Sequence, residues 1–355
     1  MTYFSKLGPH IQTDSSGARQ WVANSPIIKV VDIDASSIFS AAPSGAILVF
    51  RHCINGNCNL PFTAIDGASA ADQVISALGM PPQPNLYIEG INEPDLTTDL
   101  AGLIQWYTDF TNEAHKKGYK VAGFSISVGN PQPDQVSQMR AANWGGVDTI
   151  AVHEYWDNNG PTYQWTALRH RTWWQSGDPP VLITECGRLC IGNYSGANPA
   201  SCSGYAAGGG WEDFYQTNCQ PYLTELDAYS SAIASDAYVL GGTIFTTGGG
   251  AAFSSFEIDD VLPCITGGSQ PNPNPNPSGT GQCIADPDCI ALHGNGYYCQ
   301  NPGTAQSSCQ ACPTTTAAGW VLRAQTAPND TAGYIGAGIT VLGAIGLAAL
   351  AARKG

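Results

Sequence analysis

Two glutamates stand out in a chain that carries few charges. Glu93 lies in the stretch NLYIEGINEPD, Asn85 to Asp95, and Glu185 in PVLITECG, which starts at Pro180. Each follows an apolar run that reads as a buried strand, so each sits where a strand delivers a side chain to a loop. Cleavage of a glycosidic bond needs such a pair: one carboxylic acid protonates the leaving oxygen, and a second carboxylate works from the other side of the sugar ring. A carboxyl separation of about 5–5.5 Å gives a covalent intermediate and retention of configuration, and about 6.5–9.5 Å gives inversion. A single glutamate at a strand end is ordinarily a solvated loop residue or an ion-pair partner. Two of them argue for a site when Arg51 and His52 end another run and His153, Glu154, Tyr155 and Trp156 end a third. Buried polar groups without partners cost desolvation, and a packed core does not call for them.

Strand alternation refines these positions. His153 and Tyr155 share a face with Thr149 and Ala151, and Glu154 points away. Glu89 falls on the face of Glu93, about one layer deeper, and is either paired with Arg51 or turned outward by a bulge. Trp156, Trp165, Trp173, Trp174 and Trp211 offer planes on which sugar rings stack, although Trp173 and Trp174 in WTALRHRTWW fit helix packing better.

The elements that must hold these residues are visible as eight short apolar runs. They are KLGPHIQ from Lys6, IIKVVDI from Ile27, GAILVFRH from Gly45, NLYIEGINE from Asn85, KVAGFSIS from Lys120, DTIAVHEYW from Asp148, PVLITECG from Pro180 and LGGTIFTTG from Leu240. Helical patterns separate them. The clearest is DLAGLIQWYTDFTNEAHKKG, where Leu103, Trp106, Tyr107, Phe110 and Ala114 recur at helical spacing before a stop at Gly118. Eight strand and helix units over residues 1–265 predict an α/β fold, a closed (β/α)8 TIM barrel with its site at the C-terminal strand ends. A doubly wound open sheet is the rival. It would want a glycine-rich phosphate turn after the first strand, which GPHIQTDSSG does not supply.

At these residues the chain resembles the clan A glycoside hydrolases, retaining TIM-barrel enzymes, and among them a poorly characterised bacterial and phage branch. GINEPD resembles the strand-four motif, AVHEYW the His-x-Tyr motif of strand six and VLITECG the strand-seven motif; GPHIQ, IIKVVD and GTIFT resemble strands one, two and eight of the branch. The resemblance covers Met1 to about Pro263. It implies Glu93 as acid/base and Glu185 as nucleophile, with Asn92 on the sugar 2-hydroxyl and Tyr155 orienting the nucleophile. It further implies Arg51 and His153 as supporting site residues; Trp156, as a stacking plane, and Phe245, at the end of strand eight, are further substrate-side candidates, and no metal or organic cofactor is expected. Many clan members carry a tryptophan at the end of strand eight, where TIFTTGGG offers Phe245 and glycines.

Composition bounds the setting. The 355 residues carry a formal net charge of -14 and a sequence pI near 4.6. Without a basic stripe to neutralise phosphates, nucleic acid is excluded as a partner. Twelve cysteines favour an oxidising compartment. The barrel is followed by a Pro/Asn/Gly linker at 266–282, a Cys-rich module at 283–313 and a stalk at 314–333. Cys283, Cys289, Cys299, Cys309 and Cys312 fall in the module and Cys53, Cys58, Cys186, Cys190, Cys202, Cys219 and Cys264 in the barrel. Either Cys264 bridges to the module or one thiol in each part stays free. The uncharged run Tyr334 to Ala352, followed by Arg353 and Lys354, predicts a transmembrane helix with a basic cytoplasmic end at 353–355. The first residues, MTYFSKLGPH, hold no apolar signal core. The expectation is a surface-anchored enzyme acting on an extracellular polysaccharide. The alternatives are a catalytically inactive, surface-displayed carbohydrate-binding or adhesin barrel, and a tail-anchored enzyme facing the cytosol.

Overall fold

The computed structural model describes residues 3–189, 209–215, 218–267, 297–300 and 308–311. Strands β1 (Leu7–Ile11), β2 (Ile27–Val31), β3 (Ile47–Arg51), β4 (Leu86–Glu89), β5 (Lys120–Ile126), β6 (Thr149–Trp156), β7 (Val181–Arg188) and β8 (Val239–Thr247) follow one another around a closed barrel. Every neighbouring pair is parallel, and β8 returns to pair with β1, so the open-sheet rival is excluded. Nearly all strand residues are buried, which is why the strands read as continuous apolar runs: one face meets the helices and the other fills the barrel.

Helices α1 (Ser16–Val22), α2 (Ala35–Phe39), α3 (Gly67–Leu78), α4 (Leu100–Lys116), α5 (Pro133–Ala141), α6 (Trp211–Tyr215), α7 (Cys219–Ala234) and α8 (Leu262–Thr266) complete the barrel unit. In α4, Asp99 accepts from the Gly102 amide at the N-cap, and Leu103, Trp106, Tyr107, Phe110 and Ala114 are buried. After the helix Gly118 takes φ +84°, a left-handed turn that glycine adopts at little cost. Between β6 and β7 the chain makes only a short 3-10 turn, Arg169–Thr172, among the described elements.

Inside the barrel Ile27, Val49, Tyr87, Ala122, Ala151 and Leu182 form an apolar floor. One alternation higher, the same strands present Lys29, Arg51, Glu89 and His153, all buried. Two irregularities alter the next positions. In β7 the register with β6 steps from Ile183 to Glu185, so Thr184 is the extra residue and Glu185 turns inward where strict alternation would aim it at the helices. In β5 the pairing shifts between Gly123 and Ile126, Phe124 packs on Tyr107 outside the barrel and Ser125 reaches Glu89 inside it.

Among the described residues two disulfides fasten the barrel unit, Cys53–Cys58 and Cys219–Cys264, and Cys186 is a buried free thiol. Cys264 therefore pairs within the barrel, which corrects the bridge to the module. A separate antiparallel ladder joins β9 (Tyr297–Gln300) to β10 (Ser308–Ala311), with Cys299 and Cys309 as register partners. Apart from residues 266–267 and this ladder, the linker, the Cys-rich module, the stalk, the apolar run 334–352 and the basic end lie outside the described residues. Among the described residues no helix is long and apolar enough to cross a membrane.

Candidate active site

Glu185 is the centre of a polar cage above the apolar floor. Its Oε1 accepts from Arg51 Nη2 at 2.6 Å and Lys29 Nζ at 3.3 Å, and His10 Nε2 stands 3.9 Å away. Its Oε2 accepts from the Tyr155 hydroxyl at 2.8 Å, with His153 Nδ1 at 3.5 Å. Burial alone would raise the carboxyl, but His153, Lys29, Arg51 and His10 outweigh it and hold Glu185 well below the usual carboxylate range. The group is an ionised acceptor with one oxygen bound by two cations and the other by a single hydroxyl. Burial, together with the charges of Glu185 and Glu93, keeps the Tyr155 phenol protonated, so it remains the donor.

Glu93 reaches the same space from a loop rather than from a strand. β4 ends at Glu89, four residues earlier than the sequence suggested, because Gly90 to Asn92 continue the apolar pattern without pairing. The Glu93 backbone has φ +42°, a conformation that costs a side-chain-bearing residue about 1–3 kcal/mol and persists only where the surroundings enforce it. Its Oε1 meets His153 Nδ1 at 2.8 Å. One carboxylate oxygen of Glu93, one of Glu185 and a ring nitrogen of His153 all lie within 4.8 Å of one another.

Asn92 anchors this loop. Its Oδ1 accepts from Arg51 Nη1, its Nδ2 donates to Asn59 Oδ1 at 3.1 Å, and its backbone amide donates to the Cys58 carbonyl at 3.1 Å. The disulfide-closed loop Cys53–Cys58 thus touches the residue before Glu93. Phe245 walls the opposite side, 4.9 Å from the His10 ring and 6.2 Å from the Tyr155 ring between centroids.

Glu93, Glu185, Asn92, Arg51, His153, Tyr155 and Phe245 therefore converge. Trp156 does not: it is fully buried on the outer face of β6, where its indole donates to Glu225 and packs on Tyr229. Alternation dictates this, since His153 and Tyr155 point inward. Trp173, Trp174 and Trp211 pack against Trp144, Tyr238 and Tyr222, and Trp165 is 46% exposed over Arg169. Glu89 points inward, but its cation is Lys29 at 2.9 Å rather than Arg51. Lys29 and His10 were not singled out by sequence reasoning. The signal was present in IIKVV, because a lysine inside a continuous apolar strand has to find a buried counter-charge.

The spacing of Glu93, His153 and Glu185 also matches a metal-ligand set, but the surroundings do not fit a divalent cation, which would stand beside Arg51 and Lys29. Asp32, Cys53 and Cys58 lie close together as well, with both sulfurs committed to the disulfide.

No protein-family model matches the sequence, and no curated protein matches it. Among solved structures the chain is similar to a GH113 beta-1,4-mannanase, at 14% identity over 75% of this chain and 98% of that one with a TM-score of 0.46. It is similar to a GH128 endo-beta-1,3-glucanase of Amycolatopsis mediterranei at 14% identity, 75% and 100% coverage and a TM-score of 0.42. Similarity to the beta-glucuronidase of Faecalibacterium prausnitzii covers 68% of this chain at 14% identity with a TM-score of 0.43, and spans 42% of that chain. At this level the likeness assigns no chemistry, which rests on the residues above. The closed eight-stranded parallel barrel agrees with the TIM-barrel fold expected from the sequence.

Proposed function

We propose that this barrel is a retaining glycoside hydrolase that cleaves an extracellular polysaccharide by double displacement, without a metal or organic cofactor. The observation that carries the reading is the approach of Glu93 and Glu185 to within 4.8 Å between carboxylate oxygens. An approach this close favours the roughly 5–5.5 Å arrangement of retaining pairs over the about 6.5–9.5 Å of inverting pairs, which leave space for a water.

In the first step Glu185 Oε2, the oxygen bound only by Tyr155, attacks the anomeric carbon. The bond to the leaving oxygen breaks, and that oxygen takes the proton of Glu93. The product is a glycosyl ester on Glu185 and a free hydroxyl on the departing sugar. In the second step Glu93, now a carboxylate, takes a proton from water, whose oxygen attacks the same carbon and releases Glu185. Arg51 and Lys29 stabilise the charge that returns to Oε1. Asn92 gives one amide hydrogen to Asn59 and keeps the other for the sugar 2-hydroxyl. Phe245 supplies the apolar wall beside the ring.

Hydrolysis of a panel of β-linked polysaccharides by the full chain tests the reading, beside Glu93→Gln and Glu185→Gln. Activity should fall about 10²–10⁴-fold in Glu93→Gln and vanish in Glu185→Gln, with unchanged circular dichroism. Binding to one polysaccharide without cleavage by the parent would favour the displayed carbohydrate-binding barrel instead.

We also propose that the chain is anchored at the cell surface by the run 334–352, with the barrel outside. The flanking Arg353 and Lys354 support this orientation.

A further inference from the structure

The double displacement uses Arg51, Lys29, Tyr155 and the two catalytic glutamates, and it leaves Glu89, the other buried partner of Lys29, without a task. Lys29 Nζ lies 2.9 Å from Glu89 Oε2 and 3.3 Å from Glu185 Oε1, and the side chains of Lys29 and Glu89 expose no surface. Ser125 donates to the other Glu89 oxygen at 2.9 Å, from the β5 segment that leaves regular pairing to reach it. Burying two charges is costly, and apolar side chains filling the same layer would stabilise a barrel as well or better. Stability therefore does not account for the row Glu89, Lys29, Glu185, whereas an action of its charges on the reaction does.

We propose that Lys29 and Glu89 are a positioning dyad for the nucleophile: the ammonium is shared between two carboxylates, and the share taken by Glu89 governs how basic Glu185 remains. With Lys29 committed wholly to Glu185, that carboxylate would be a poor nucleophile. With no Lys29, it would attack readily but leave the glycosyl ester slowly. Sharing lies between the two. When the ester forms, Glu185 loses its charge, and Lys29 still has Glu89 at 2.9 Å, so no bare ammonium is left in the barrel. Neither residue touches the sugar in this scheme.

The other groups that face Glu185 are His10 from β1, Arg51 from β3, Glu93 from the loop after β4, and His153 and Tyr155 from β6. Glu89→Gln leaves every direct contact of Glu185 in place and removes only a charge behind Lys29. Lys29→Met removes the charge and nearly keeps the volume.

This inference rests on the proposed glycosidase reading, so its test has one arm that needs no turnover. The full chain is labelled with carboxyl-¹³C glutamate, and the Glu185 signal is identified by its loss in Glu185→Gln. Its titration midpoint should rise by about one pH unit or more in Lys29→Met and should stay at or below the parent value in Glu89→Gln. An unchanged midpoint in Lys29→Met, or a rise in Glu89→Gln, overturns the dyad whatever the enzyme does. The second arm follows the glycosyl-enzyme by mass spectrometry during turnover. The fraction of enzyme carrying the sugar should grow several-fold in Lys29→Met and shrink in Glu89→Gln. Equal slowing of both steps in both variants would mean a structural role alone. Absence of any glycosyl-enzyme and any turnover in the parent would refute the glycosidase reading, and the titration would still decide the dyad.

Discussion

Tyr155 donates to Glu185 Oε2, the oxygen that would attack the sugar, and this contact makes the most economical residue-scale test. Tyr155→Phe removes one hydrogen bond to a buried charge, worth about 1.5–3 kcal/mol. The expected loss in kcat/KM is therefore roughly 10–100-fold, at about 1.4 kcal/mol per decade. Unfolding by denaturant checks that the fold is intact, and an unchanged kcat/KM would remove Tyr155 from the chemistry. The site residues that were legible in the sequence are those at strand ends, where a polar group after an apolar run has few structural reasons to exist. Lys29 and His10 were not, because each lies inside a strand and its partners come from strands distant in sequence. Glu89 was visible, but its partner was not, since Arg51 is its register neighbour while Lys29 approaches across the barrel interior.

The elements themselves were readable because parallel strands buried on both faces are uninterrupted apolar runs, and all eight appear within a few residues of their observed bounds. The bulges were not. Nothing local marks Thr184 as the extra residue of β7, yet it decides that Glu185 faces inward. On the outside of β6, Glu154 accepts from His170 Nδ1 at 2.7 Å and from the Tyr229 hydroxyl at 2.6 Å, and Asp236 meets His170 Nε2 at 3.1 Å. This cluster ties the strand that carries His153 and Tyr155 to α7 and the turn after it. Burial would lower the His170 imidazole, but Glu154 and Asp236 outweigh it and raise it above its ordinary 6.5. A raised folded value means that the contribution to stability is complete below about pH 6.5 and is lost as pH rises through the folded value. His170→Gln should thus destabilise the chain most at pH 6, with the deficit shrinking at alkaline pH in urea titrations; a deficit independent of pH would contradict this. The Cys219–Cys264 bridge spans 45 residues and joins the start of α7 to α8. Replacing both cysteines by alanine should cost about 4 kcal/mol by the loop-entropy relation, read in the same titrations, and a loss near zero would mean that packing alone holds α8.

For the whole molecule, the proposed anchoring by the apolar run 334–352 is open to a direct test. Protease added outside intact cells should release the barrel, and a chain ending before residue 334 should leave the membrane fraction; retention of that shortened chain would contradict anchoring by the run. The chemistry of the barrel does not depend on that outcome, because every group of the cage comes from β1 to β8 and the loops that follow them. Its most direct test is covalent. A 2-deoxy-2-fluoro glycoside of the sugar that the polysaccharide panel identifies should accumulate as an ester, and mass spectrometry of the digested full chain should place one added sugar on the peptide containing Glu185, with none in Glu185→Gln. Turnover without an adduct, together with a first product of inverted anomeric configuration, would contradict double displacement at Glu185.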